Sequence, residues 1–282
     1  MKVGLLLEGG AMRGMYTAGV LDVMMEHGIN IDIAVGVSAG AAFGVNYKSR
    51  QIGRAVRYNM NYCRDPRYMS LRSLIKTGDL YGADFCYREL PDVLDIFDYE
   101  AYRENPMRFF VVCVDAETGE AVYHENKTSD ETDMKYLRAS ASMPFVSRVV
   151  EVDGRKLLDG GVVDSIPIEW MKKQGVDKII AILTREVGYV KKKRAILPAA
   201  KLALKKYPKL ALAMDRRPDD YNRSLCEVER MEREGKLFLF RPKAKPEICR
   251  ITRDPEKLRA LHEIGRREAE ERMEELKKYL EE

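Results

Sequence analysis

The chain has 282 residues, 45% hydrophobic and 33% charged, which is enough apolar material for a core beneath a well-solvated surface. Its net charge of +4 is too small by itself to argue for a nucleic-acid partner. The five cysteines, at 63, 86, 113, 226 and 249, include no C-x-x-C pair, so reduced thiols in a cytoplasmic setting fit better than a disulfide framework.

In MKVGLLLEGG the apolar stretch runs only from Val3 to Leu7, too short for the h-region of a signal peptide. No later segment reaches 18 uncharged apolar residues. The expectation is a soluble protein, or one peripheral to a membrane. Residues 2–8 read as a buried strand ending in Gly9-Gly10, and 13–27 as a helix closed near Gly28. Residues 31–37 are a second strand and 39–60 a second helix, an alternation that predicts parallel strands with crossover helices. Residues 61–106 predict short helices and loops, a candidate lid. MRFFVVCVD (107–115) is a strong strand, and GEAVYHE (119–125) alternates as its hairpin partner. Residues 131–142 predict a helix stopped by Pro144. VVEVDGRKLLDGG (149–161) reads as strand, Asp-Gly turn, strand and a second glycine turn. Pro167 suits a first helical position, and DKIIAILT (177–184) a last core strand.

Beyond 184 the composition changes. Between Arg185 and Arg217 there are 11 Lys/Arg against 2 Asp/Glu, interleaved with Ala, Leu and Tyr. The stretch AAKLALKKYPKLALA is a candidate amphipathic anchor on an anionic membrane, although Pro208 interrupts any single helix through it. A helix over 219–234, a strand KLFLFRP (236–242) and a charged helix capped by Asp254 follow. The expected division is a catalytic domain over 1–184 and a basic, mainly helical extension over 185–282. The terminal helix restores many acidic groups and no aromatic platform is visible, which speaks against nucleic acid.

Three motifs carry chemistry. Gly36-Val37-Ser38-Ala39-Gly40 lies between a strand and a helix, the place of a nucleophile elbow. A serine hydroxyl needs a base, and the chain has only His27, His124 and His262, none in a catalytic context. An α/β-hydrolase places its histidine late in the chain, so order alone leaves His262 open as a base, but that fold wants several strands before the elbow and only one precedes it here. The better candidate is Asp159, at a strand end and followed by Gly160-Gly161, although a D-G-G turn alone would read as structural. The third motif, Glu8-Gly9-Gly10-Ala11-Met12-Arg13-Gly14, opens a helix and points N–H groups at one place. A dinucleotide phosphate fits poorly, because Ala11 stands where the fingerprint needs glycine. The oxyanion of an acyl-transfer intermediate, beside a nucleophilic serine, explains both glycine motifs.

Glycine-rich loop, G-x-S-x-G and D-G-G in this order resemble the patatin-like phospholipases, over roughly residues 3–184. PDDYN (218–222) with EGKLFLFRPKAKPEICRITRDPEKLRAL (234–261) resembles the helical extension of a bacterial subgroup of that family, which implies no assignable chemistry. Ala141-Ser142-Met143-Pro144 and Pro167 also resemble that family. The resemblance implies a three-layer α/β/α sandwich around a mostly parallel sheet and a Ser–Asp dyad without histidine. It makes Ser38 the nucleophile, Asp159 the base, and the N–H groups of Gly9, Gly10, Ala11 and Met12 the oxyanion hole. Arg13 falls on the basic residue of the family's loop, with Gly14, Gly36, Gly40, Gly160 and Gly161 as supporting positions. Neither a metal nor a cofactor is called for, and the partner is a lipid or acyl-ester substrate. The sequence departs from the family at Ala11, where a third glycine is usual. If that position needs φ > 0, alanine strains the loop. Two functions follow: a lipid acyl hydrolase, or a catalytically weak or inactive patatin fold that binds lipid or a partner. Met12, Met15 and Met24 could line an acyl pocket, but read better as helix core.

Overall fold

The computed structural model describes residues 1–193, 202 and 204–282. β1 (Val3–Leu7) leads through a short 3-10 turn (Ala11–Gly14) into α1 (Met15–Glu26), and β2 (Ile33–Val37) leads directly into α2 (Ala39–Lys48). The expected single helix over 39–60 is two. Left-handed backbone at Arg50 (φ 56°) and Gly53 (φ 71°) ends α2 and starts α3 (Arg54–Tyr62), with Asp22 accepting the Gly53 N–H at 2.9 Å. The segment 61–106 holds α4 (Leu71–Thr77), a wide π-type helix (Phe85–Leu94) and α5 (Tyr99–Glu104). There follow β3 (Arg108–Asp115), β4 (Ala121–Glu125), α6 (Glu131–Ser140), β5 (Val150–Val152), β6 (Arg155–Asp159), α7 (Ile168–Lys172) and β7 (Lys178–Ile182). Pro167 caps α7 instead of occupying its first turn.

The helix expected over 219–234 starts earlier, as α8 (Pro208–Arg233). Pro208 sits at its start, where a missing N–H costs nothing, and a turn at 204–206 precedes it, so among the described residues no single helix runs through Pro208. β8 (Phe238–Phe240), α9 (Pro255–Glu270) and α10 (Met273–Glu281) complete the chain. As the sequence predicts, the Asp254 side chain caps α9, accepting from the Glu256 N–H at 3.1 Å.

The strands form one sheet in the order β5-β6-β3-β2-β1-β7-β8, with β4 also pairing β3. β8, β7, β1, β2 and β3 are mutually parallel, and β4, β5 and β6 add an antiparallel end. Every residue of β1 and β2 is buried, as strands covered on both faces must be. Leu5 and Leu7 pack with α1, α2 and α9 on one face, while Leu6, Ile33 and Val35 pack with Met171, Leu225 and Val228 on the other. The result is the predicted three-layer sandwich with a mainly helical C-terminal part. That part supplies the last strand of the sheet and lays α9 against α1. The crossing is close: a Cβ at Gly265 would lie 2.2 Å from the Tyr16 carbonyl oxygen, and one at Gly19 would lie 2.1 Å from that of His262.

One detail of register positions the site. Odd residues of β3 bond to β4 (Asp115 N–H to Glu120, and Asn126 N–H to Phe109), whereas Arg108 and Ala116 donate to Asp32 beside β2 and to Lys156 of β6. Strand residues alternate their bonding side. β2 and β6 therefore lie end to end along the same edge of β3, with Val37 opposite Val112 and Asp159 opposite Cys113. The end of β2 that carries Ser38 meets the end of β6 that carries Asp159.

Candidate active site

Ser38 adopts φ 55° and ψ −121°, a conformation costing of order 1–3 kcal/mol that must be held by its surroundings. Its N–H donates to the Ser140 hydroxyl at 2.9 Å, which donates to the Val112 carbonyl at 2.7 Å. Gly36 and Gly40 are needed for space, not for positive φ: a Cβ on Gly40 would stand 2.5 Å from the Leu7 carbonyl oxygen, and one on Gly36 2.6 Å from Ala41 Cα. The elbow is thus pressed directly onto β1.

Asp159 is 1% exposed, and its Oδ1 accepts the Gly161 N–H at 2.7 Å. Burial pushes its carboxyl above the usual carboxylate range; the Ser38 hydroxyl, the Gly161 N–H and the charges of Arg217 and Arg250 oppose the shift. A carboxyl raised in this way is a stronger base when ionised. Gly160 has no room for a side chain, since a Cβ would lie 2.3 Å from the Val112 carbonyl oxygen.

The glycine-rich loop lies on the elbow's other side. A Cβ on Gly9 would touch Ser38 Cβ at 3.0 Å and the Val37 carbonyl oxygen at 2.9 Å. Among the described residues the N–H groups of Gly9, Gly10 and Ala11 have no protein acceptor. Gly10 packs on Thr184, and Gly14 on the Phe43 ring. The buried Glu8 carboxylate anchors the loop, accepting from the Thr184 N–H (2.6 Å), the Thr184 hydroxyl (3.1 Å) and the Tyr221 hydroxyl (2.8 Å). Ala11 takes φ 49°, the left-handed conformation that a glycine would take freely. The alanine keeps this backbone at about 1–2 kcal/mol. Arg13 is buried with its Nε unpaired among the described residues, and burial lowers its guanidinium to about 10.

Ser38, Ala11 and Met12 open onto a cavity of about 420 Å³, walled by Phe43, Tyr58, Tyr87, Leu90, Leu137 and Phe145 among others. The segment 61–106 thereby serves as a cavity wall. Met12 lines the cavity, while Met15 and Met24 lie in the core. None of the three histidines lines it. His262 pairs with Asp22 at 2.8 Å, His124 with Asp133 at 2.7 Å, and His27 with Glu270 at 3.0 Å.

Sequence reasoning missed Ser140, Tyr221, Arg217 and Arg250. Ser140 directly precedes the Ala141–Pro144 block, a signal that could have exposed it. Arg217 donates to the Gly161 carbonyl, and Arg250 lines the cavity mouth. No local pattern marks either of them. The candidate membrane anchor falls partly on 199–201 and 203, outside the described residues. Of the remainder, Leu204, Leu210 and Ala213 pack inward against Val114, Leu158 and Val162, and Leu212 faces outward. Among the described residues no helix is long and apolar enough to cross a membrane.

The family model for patatin-like phospholipase matches residues 5–171, and a domain of unknown function, DUF6363, matches 207–281. Lysophospholipase NTE1 of Meyerozyma guilliermondii is 30% identical over 193 residues, 67% of this chain and 13% of that protein. The uncharacterized protein YjjU of Escherichia coli is 28% identical over 186 residues, 65% of this chain and 52% of that one. The chain therefore spans about half of one relative and a small part of the other. VipD of Legionella pneumophila superimposes with a TM-score of 0.46 at 13% identity, covering 96% of this chain and 66% of that one. The match over 5–171 takes in the glycine-rich loop, the elbow and the D-G-G turn, and the chain belongs to the patatin-like phospholipase family.

Proposed function

We propose that the protein is a lipid acyl hydrolase working through a Ser38–Asp159 dyad. One observation carries this reading: the end-to-end placement of β2 and β6, which turns the strained Ser38 elbow toward a buried carboxyl beside an apolar cavity. Asp159 takes the Ser38 hydroxyl proton as Oγ attacks the ester carbonyl. The developing oxyanion is received by the Gly9, Gly10 and Ala11 N–H groups, a kind of interaction worth several kcal/mol in such sites. Collapse breaks the ester C–O bond, Asp159 returns the proton to the leaving alkoxide, and the acyl group stays on Ser38. A water then attacks, gives its proton to Asp159, and the fatty acid leaves as Oγ is reprotonated.

A serine-directed fluorophosphonate should label the wild type and not Ser38→Ala. Hydrolysis of a short p-nitrophenyl ester should vanish in both Ser38→Ala and Asp159→Asn. Equal labelling of wild type and Ser38→Ala rejects the nucleophile. A second reading, a catalytically weak lipid-binding fold, draws on the alanine held at φ 49° in the loop. A wild type inactive on every ester tried would favour it.

A further inference from the structure

Arg13, Arg185, Lys191, Arg217 and Arg250 converge on the rim of the Ser38 site, and all but Arg13 come from beyond residue 184. Their charges act on one another and on Glu8 and Asp159. Arg217 donates to the carbonyl of Gly161, the residue whose own N–H seats Asp159. Lys191 lies 3.8 Å over the Tyr221 ring and Arg185 4.2 Å over the Tyr189 ring. Arg250 lines the same cavity as Ser38 and Ala11.

Five cations face two carboxylates, and both carboxylates are already engaged. Glu8 is held by Thr184 and Tyr221, and Asp159 by the Gly161 N–H. Among the described residues none of the five makes an ion pair, although surface ion pairs are frequent elsewhere on the molecule. Arg13 is 6% exposed with an unpaired Nε, a buried donor in want of an acceptor. Burial, with the neighbouring Arg217 charge adding to it, lowers Lys191 to about 7. Like charges gathered in a partly dry place repel strongly, and an anion shared among them removes that cost.

We infer that the C-terminal segment builds a phosphate-binding site on the rim of the proposed acyl-transfer centre, formed by Lys191, Arg250 and Arg13, with Arg185 and Arg217 adding positive charge to it. A phosphate has the charge and the acceptor count to satisfy several guanidinium and ammonium donors together. In a lysophospholipid the three-carbon glycerol separates the scissile ester from the phosphate, so a phosphate held on the rim places the ester at Ser38. This half of the inference rests on the acyl-hydrolase reading. A free phosphate or a small phosphorylated metabolite offers the same chemistry.

Two arms separate the sources. In the first, kcat/KM is measured for 1-palmitoyl lysophosphatidic acid and 1-monopalmitoylglycerol, which share acyl chain and glycerol. The ratio of the two should fall at least tenfold in Lys191→Met and in Arg250→Met. Arg250 is exposed, so its replacement carries little risk to folding. In the second arm, calorimetry with inorganic phosphate and with glycerol 3-phosphate compares wild type with the double variant. A fallen ratio supports the site and assigns it to the substrate's phosphate. An unmoved ratio with phosphate binding lost in the double variant supports the site and assigns it to a free ligand. An unmoved ratio with no phosphate binding by the wild type overturns it. A wild type that hydrolyses neither ester defeats the hydrolase reading, and the calorimetric arm then decides the anion site alone.

Discussion

Ser140 holds Ser38 in place: its hydroxyl accepts the Ser38 N–H at 2.9 Å while donating to Val112 at 2.7 Å. Two residues on, the Ser142 carbonyl accepts the Asp159 N–H at 2.9 Å. The same short segment therefore fixes both halves of the proposed dyad. Ser140→Ala leaves a donor and an acceptor unpaired in a dry place, at a cost of about 1–3 kcal/mol. Urea denaturation should show that loss, and ester hydrolysis should show a lowered kcat with KM nearly unchanged, because the cavity is untouched.

If Asp159 is the base of the proposed dyad, its buried carboxyl should make activity and stability respond to pH in opposite senses. Its folded pKa lies above its unfolded one, so the native state binds the extra proton between the two. Stability from this group is present below the unfolded value and is lost as pH rises through the folded one, while activity requires the ionised form. The rate of ester hydrolysis should rise with pH through a limb above the ordinary carboxylate range, about 3.9 for Asp. Asp159→Asn should be inactive yet more stable than wild type at neutral pH, with the difference vanishing in acid. Thermal denaturation at pH 7 and pH 3.5 reads this directly.

Ala11 offers a graded test of the loop. Ala11→Gly removes left-handed strain of about 1–2 kcal/mol and adds glycine's chain entropy of about 0.5–1 kcal/mol, so stability should move little. Activity should be retained or raised. Ala11→Val places a β-branched residue at φ 49° and should lower kcat by at least tenfold. An active Ala11→Val enzyme would remove this loop from the mechanism.

His262 is a structural residue in this account. It pairs with Asp22 at 2.8 Å, both buried, and Asp22 also accepts the Gly53 N–H. His262→Ala should cost about 1–3 kcal/mol in chemical denaturation and leave ester kcat unchanged in the folded fraction. Loss of activity without loss of stability would instead restore a histidine-based triad.

The candidate site was legible where local rules concentrate. A serine and an aspartate at strand ends, each beside glycines, are visible without a structure. The layers followed too, because β1 and β2 are apolar at nearly every position and alternate with helical segments. What escaped depends on register and distance along the chain. Ser140 reaches Ser38 across 102 residues, and Arg217 reaches Gly161 across 56. The break between α2 and α3 begins at Arg50, whose left-handed φ no glycine announces. Pro218 lies inside α8, where the sequence rule expects a boundary.

The Glu8 carboxylate, which seats the glycine-rich loop, is held on one oxygen by Tyr221 of α8. A polypeptide leaving the ribosome presents its serine and its aspartate long before residue 221 exists. During that interval the loop lacks one of its tethers, and α1 still awaits the helix that carries Gly265. The proposed centre therefore depends on α8 and α9 as well as on its own motifs, and a chain cut before residue 221 should lose the seat of its glycine-rich loop.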